Sequence, residues 1–247
     1  MIFGTLLFFF SFLSSTLAAT TTNLTLAETY TTNQHIINDY KVNTNGYITL
    51  IQTTQDTFDR LILVAGKKGK IHYNKKNRKI KNPNILVKKG ILANLTPLKG
   101  QIKNQHFKGF RLNFKEDFNA AKAVFKFLAD NTSIEWSLLH FSIKDQSSNL
   151  IYTSYRSDLE YFGSVKVHHL LNYSEIIKTL KHYHNHPREP IEAVGKYAFP
   201  SNADLDFRNK VLKKGIQSVD FIIRTDGFYV NYSDPEEWNK GNGEDFL

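Results

Sequence analysis

The stretch HYHNHPREPIEAVGKYAFPSNADLDF, residues 182–207, gathers three histidines, a prolyl turn and a serine–aspartate pair ahead of a helical run. In an extended segment, residues i and i+2 project to the same side, so His184 and His186 can reach one ion together. Pro187 turns the chain straight after them. SNADLDFRNKVLKKG reads as a helix, with Ser201 as N-cap, acids in the first turn and Gly215 as the stop. Asp204 stands in that first turn, where the helix dipole favours a carboxylate, and can point back at the histidine pair. Two imidazoles and one carboxylate leave a fourth tetrahedral position open, the arrangement of a catalytic rather than a structural zinc. Ser201, three residues earlier, falls beside that position, where a hydroxyl can donate to an oxyanion.

Composition narrows the chemistry. The 247 residues include no cysteine. That excludes disulfides, thiolate zinc sites and a cysteine nucleophile, and leaves His, Asp, Glu or water to hold a metal. Hydrophobic residues make up 41% of the chain, with 19 Phe and 12 Tyr, which is enough for a real core and excludes a disordered chain. The length suits one large domain or two small ones.

The first 19 residues, MIFGTLLFFFSFLSSTLAA, carry no charge and end in small residues. The run is too short and too broken by Ser and Thr for a stable membrane span, and reads as a signal-peptide core that exports the protein. Residues 20–40 are Thr/Asn-rich and read as linker. From Arg60 to Lys115 there are 16 Lys and Arg and no Asp or Glu. The net charge is +9, so the remainder of the chain is acidic. Such a basic segment suits nucleic acid, anionic lipid or an acidic protein partner.

Residues 41–115 read as a basic, β-rich N-terminal region, starting with a hairpin around NTNG. Residues 116–247 read as a separate α/β or α+β domain, a mixed sheet flanked by helices. Within it, EDFNAAKAVFKFLADNT (116–132) is helical, with Phe118, Ala121, Phe125 and Leu128 on one stripe. SIEWSLLHFSI (133–143) and NLIYTSYR read as strands, and GSVKVHHLL as a third. SEIIKTLKHY reads as a Ser-capped helix running into HNHP, and SVDFIIRTDGFYVNY as a closing hairpin. Glu135 is the base candidate, because a lone carboxylate in an apolar strand is costly unless it faces a polar site. Asp206, two residues past Asp204, projects off another side of the helix.

The order Glu, H-x-H-P, S-x-x-D resembles the JAMM metalloproteases, also called the MPN-plus or Jab-type family, and HNHP is similar to their RadC branch. The wider layout resembles the JAB-like toxin domains of Rhs-type polymorphic toxins of Bacteroidetes. The resemblance implies a zinc peptidase or isopeptidase in which Glu135 is the general acid/base, His184, His186 and Asp204 hold Zn2+, and Ser201 stabilises the tetrahedral intermediate. It also implies a protein or peptide substrate and an immunity protein in the producing cell. The 14 residues between His186 and Ser201 exceed the family's usual interval and suggest a loop over the site. The alternative is a metal-dependent nuclease or nucleic-acid-binding toxin gripping phosphates through residues 60–115.

Other candidates have plainer readings. Glu160 reads as a surface acid. His182 shares the parity of His184 but is not a ligand. His140, His168 and His169 read as core or surface residues, and Trp136 and Trp238 as packing residues.

Overall fold

The computed structural model describes residues 38–52, 58–63, 72–73, 79–80, 84–187, 200–225 and 228–234. The leader, most of the linker, residues 188–199, which were expected to form a loop over the site, and Trp238 lie outside the described residues.

Among the described residues, two mixed sheets, a separate two-stranded pair and three α-helices make an α+β fold, one of the two expected classes. A four-stranded sheet has the order β2-β1-β3-β6, from β1 (Asn38–Val42), β2 (Ile48–Gln52), β3 (Phe58–Leu63) and β6 (Asn84–Lys88). Strands β1 and β2 form the hairpin read around NTNG, and Gly46 supplies the left-handed turn residue at φ 78°. A Cβ on Gly46 would also run into the Ile134 side chain. Strands β4 (His72–Tyr73) and β5 (Lys79–Ile80) pair with each other.

The larger, seven-stranded sheet has the order β13-β12-β11-β9-β10-β8-β7. Its members are β7 (Thr96–Ile102), β8 (Gln105–Asn113), β9 (Ser137–Ile143), β10 (Gln146–Thr153), β11 (Ile177–Asn185), β12 (Ser218–Thr225) and β13 (Phe228–Asn231). All its pairings are antiparallel except β11 with β12. The boundary drawn at residue 115/116 cuts through this sheet, because β7 and β8 are bonded to it through β10.

Helices α1 (Phe118–Asn131), α2 (Tyr161–Leu170) and α3 (Asn202–Leu212) flank the sheet. One face packs against α1 and the small sheet, burying Leu138, Ile151, Tyr183 and Ile222 with Phe125, Leu128, Val42 and Leu61. The other face, carrying Leu139, Leu180, Phe221 and Ile223, packs against Phe162 and Val167 of α2 and Val211 of α3. Alternate strand residues thus enter two cores, so neighbouring side chains on β11 face different chemistry.

Helix α1 forms as read, with Asp117 capping its start and Thr132 its end. Thr132 Oγ1 donates to Leu128 O (2.8 Å) and accepts the indole N–H of Trp136 (2.7 Å). Trp136 is a packing residue, completely buried.

Two assignments are corrected. GSVKVHHLL lies in helix α2, so His168 and His169 stand on its last turn. SEIIKTLKHY is divided between a short 3-10 helix (Leu171–Ile176) and strand β11. The helix-like spacing of Ile177, Leu180 and Tyr183 misled because β11 is central and buried on both faces, which erases the alternation of a half-buried strand. Among the described residues, no helix is long and apolar enough to cross a membrane, which says nothing about β-barrels.

Candidate metal centre

Strand β11 delivers the histidines. His182 and His184 lie on the α2/α3 face of the sheet, and His186 follows the strand end. The His186 N–H donates to Arg224 O (3.1 Å), continuing the parallel pairing one residue beyond β11. Arg224 is itself held by two bonds to Asp130 of α1, at 2.7 and 2.8 Å. The extended geometry at His186 therefore comes from neighbours that the local sequence does not contain.

The two Nε2 atoms of His184 and His186 are 3.1 Å apart. Asp204 approaches with Oδ1 3.3 Å from His184 Nε2 and Oδ2 3.5 Å from His186 Nε2. One ligand atom from each residue lies within 4.8 Å of the others, which makes a group able to hold a metal ion. The three candidate ligands are thus brought together.

Helix α3 aims Asp204 through a capping box. Asp204 Oδ2 accepts from the Ser201 N–H and hydroxyl, both at 2.7 Å, and Ser201 Oγ accepts from the Asp204 N–H at 3.2 Å. Oδ1 is turned to His184. Burial works against the Asp204 carboxylate, but the charge of His184 and hydrogen bonds from His184, His186 and Ser201 outweigh it and hold the group well below the ordinary carboxylate range. The single hydroxyl proton of Ser201 is engaged on Asp204. His184 Nδ1 is buried without a hydrogen-bond partner among the described residues; the Tyr232 ring packs edge-on against the imidazole, with centroids 6.1 Å apart.

Glu135 lies two residues before β9, not within it. Its N–H donates to Arg156 O (2.7 Å) and its carbonyl accepts from Thr153 Oγ1 (2.9 Å). The half-buried side chain lines a cavity of about 450 Å³ together with His184, His186, Ser201 and Asp204. Burial pushes the Glu135 carboxyl up to about 8, His186 opposing and Asp204 and Glu160 adding to the rise. All five residues picked from the sequence therefore border one cavity.

Glu160 is corrected from surface acid to buried cap. It is 5% exposed, lines the same cavity and caps α2. Its carboxylate accepts from Ser137 Oγ (2.7 Å), Phe162 N–H (2.9 Å) and Gly163 N–H (2.8 Å). Burial pushes it up to about 7 despite these bonds. The missed signal was E-Y-F-G ahead of a helix, once GSVKVHHLL is taken as helical.

His182 lies deeper on the same face, 4% exposed, between Phe207 and Phe221, and is not part of the ligand cluster. Burial, helped by His184, pushes its ring down to about 3. His140 is half-buried and hydrogen-bonded to Asn149 Oδ1 at 2.7 Å. Asp206 is exposed.

Comparison with protein families matches residues 113–209 to the family described as JAB-like toxin 1. The match takes in Glu135, the HNHP segment, Ser201 and Asp204, and supports a JAB-like toxin domain over those residues. Comparisons with curated proteins and with solved structures found no match.

Proposed function

Taking the JAB-like toxin domain of residues 113–209 as premise, we propose that the protein is a zinc-dependent peptidase or isopeptidase acting as an exported toxin. The observation that carries this reading is the meeting of His184, His186 and Asp204 on a cavity that also holds a buried carboxyl, Glu135.

The donor set suits zinc. Ligand atoms about 2.0–2.1 Å from a tetrahedral centre stand about 3.3 Å apart, against separations of 3.1, 3.3 and 3.5 Å here. When bound, the ion supplies a Lewis acid that polarises an amide carbonyl and makes water acidic near neutral pH.

The protein's own groups do the rest. Glu135 takes a proton from the attacking water and passes it to the leaving amine. Burial holds the Glu135 carboxyl near 8; a cation beside it would move it down, toward the neutral range where acid–base exchange is most effective. Asp204 stays ionised, aimed by the N-cap of α3. Ser201 orients Asp204, and it donates to an oxyanion by turning its hydroxyl off Oδ2, which keeps the Ser201 N–H.

The substrate is a protein or peptide, and an immunity protein restrains the toxin in the producing cell. The exposed lysines of the basic segment, among them Lys88, Lys89, Lys99, Lys103 and Lys108, favour an acidic partner. They equally support the second reading, a metal-dependent nuclease gripping phosphates. Binding to single- or double-stranded oligonucleotides that falls steeply with salt, together with cleavage, would favour the nuclease. Salt-insensitive cleavage of a peptide bond favours the peptidase.

The deciding experiment is elemental analysis of the metal-replete full chain beside folded Asp204→Ala and Glu135→Gln variants. The expected result is about one zinc per chain, kept in Glu135→Gln and lost in Asp204→Ala. Folded wild-type protein without zinc would overturn the reading.

A further inference from the structure

We propose that Asn185, the residue between the two histidines, is a positioning residue that sets Glu135 against the metal site. The inference rests on the reading of Glu135 as the base.

Asn185 is 1% exposed and ends strand β11. Its Oδ1 accepts from the Trp136 N–H at 2.6 Å, its Nδ2 donates to Ile134 O at 3.1 Å, and its own N–H donates to Trp136 O at 3.2 Å. All three bonds fall on the residues immediately before and after Glu135. Asn185 is also the covalent neighbour of both His184 and His186. One buried side chain therefore ties the base to the ligands across 49 residues of sequence.

Alternation explains the effect. Ile134 and Trp136 are buried in the core under α1, while Glu135 between them lines the cavity on the other side. Holding the main chain of both neighbours fixes the side to which Glu135 points. Arg156 O and Thr153 Oγ1 hold Glu135's own N–H and carbonyl from the β10 end. Accepting from Trp136 while donating to Ile134 requires a neutral amide: a carboxylate lacks the donor and an aliphatic side chain lacks both.

The test uses the full chain with Asn185→Ala and the isosteric Asn185→Asp, which keeps the acceptor for Trp136. Three quantities are read: bound zinc, amide hydrogen exchange at Trp136, and the pH profile of visible absorption after loading with Co2+. In Asn185→Ala, metal stoichiometry stays at the wild-type value. The Trp136 amide exchanges about tenfold to a hundredfold faster, as expected for loss of buried hydrogen bonds. The Co2+ pH profile moves toward that of Glu135→Gln, and the double variant moves no further than Glu135→Gln alone. Asn185→Asp falls between wild type and Asn185→Ala, and it carries the same comparisons where the alanine variant does not fold.

A wild-type pH profile in either folded, metal-loaded variant would overturn the proposal. So would loss of metal in Asn185→Ala, or additive shifts in the double variant. Should wild type bind neither zinc nor cobalt, the proposed function fails by itself. The clamp is then judged by crystal structures of the metal-free variants, where a displaced Glu135 carboxyl upholds it and an unmoved one overturns it.

Discussion

Glu135→Gln in metal-free protein should raise stability above about pH 4.5, and most at alkaline pH. Folding moves the Glu135 carboxyl from 4.5 up to about 8, chiefly through burial. Between those values the folded chain keeps a proton that the unfolded chain has released, so stability falls as pH rises. The penalty is absent below 4.5 and complete above 8. At 1.36 kcal/mol for each tenfold in proton affinity, the ceiling is about 5 kcal/mol. The carboxyl borders a cavity open to solvent, and screening there cuts the effect to about 2–3 kcal/mol. Glutamine is neutral throughout and nearly isosteric, so it escapes the penalty. For a protein of this size the gain at pH 8.5 is about 5–10 °C in Tm, shrinking to near zero at pH 4.5. The assay is thermal unfolding of both proteins with a chelator, from pH 4.5 to 9. A gap that does not change with pH would refute the reasoning. Adding zinc should narrow the gap, because a neighbouring cation stabilises the carboxylate form.

Three further outcomes are expected. Asp204→Ala removes metal binding and the capping box together, costing about 1 kcal/mol of metal-free stability, whereas Asp204→Asn keeps an acceptor for Ser201 and costs less than about 0.5 kcal/mol; zinc analysis and chelated thermal unfolding separate the two effects. Gly163→Ala drives a Cβ into Glu160 Oε2, the cap of α2, and into Ser137 Oγ, which donates to it, and should lower stability by about 2 kcal/mol; an unchanged denaturant midpoint would contradict this. Thr132→Val strands the buried Trp136 indole N–H and should cost about 1–3 kcal/mol in chemical denaturation.

The features legible in the sequence were those with local causes. The α1 stripe, the Ser201 cap, the NTNG hairpin and the ligand spacing each depend on a few neighbouring residues. The structure assembles the first three as read and brings His184, His186 and Asp204 close together. What escaped depends on partners far along the chain. Strand β11 looked helical because burial on both faces hides its alternation. Glu160 looked like a surface acid because its donors, Ser137 and the first amides of α2, become visible only when α2 is taken as a helix. The basic segment read as a separate region because its charge dominates its composition. Its strand β8 nevertheless sets buried Phe110 and Leu112 against half-buried Arg111 and exposed Asn113 and joins the main sheet.

The one parallel pairing of the large sheet also sets an order of assembly. Strand β11 takes its partners from opposite directions: His182 faces Leu139 on one side and Phe221 on the other. A ribosome releases β9 first and β12 last. Until β12 arrives, β11 is an open edge, and the backbone of His186 lacks the Arg224 carbonyl that extends it. Asp204 precedes Arg224 by about 20 residues, roughly one to four seconds of synthesis. His184, His186 and Asp204 are all made before the strand that holds the His186 backbone in line. The cluster of His184, His186 and Asp204 is therefore backed by its full set of strands only once β12 has emerged.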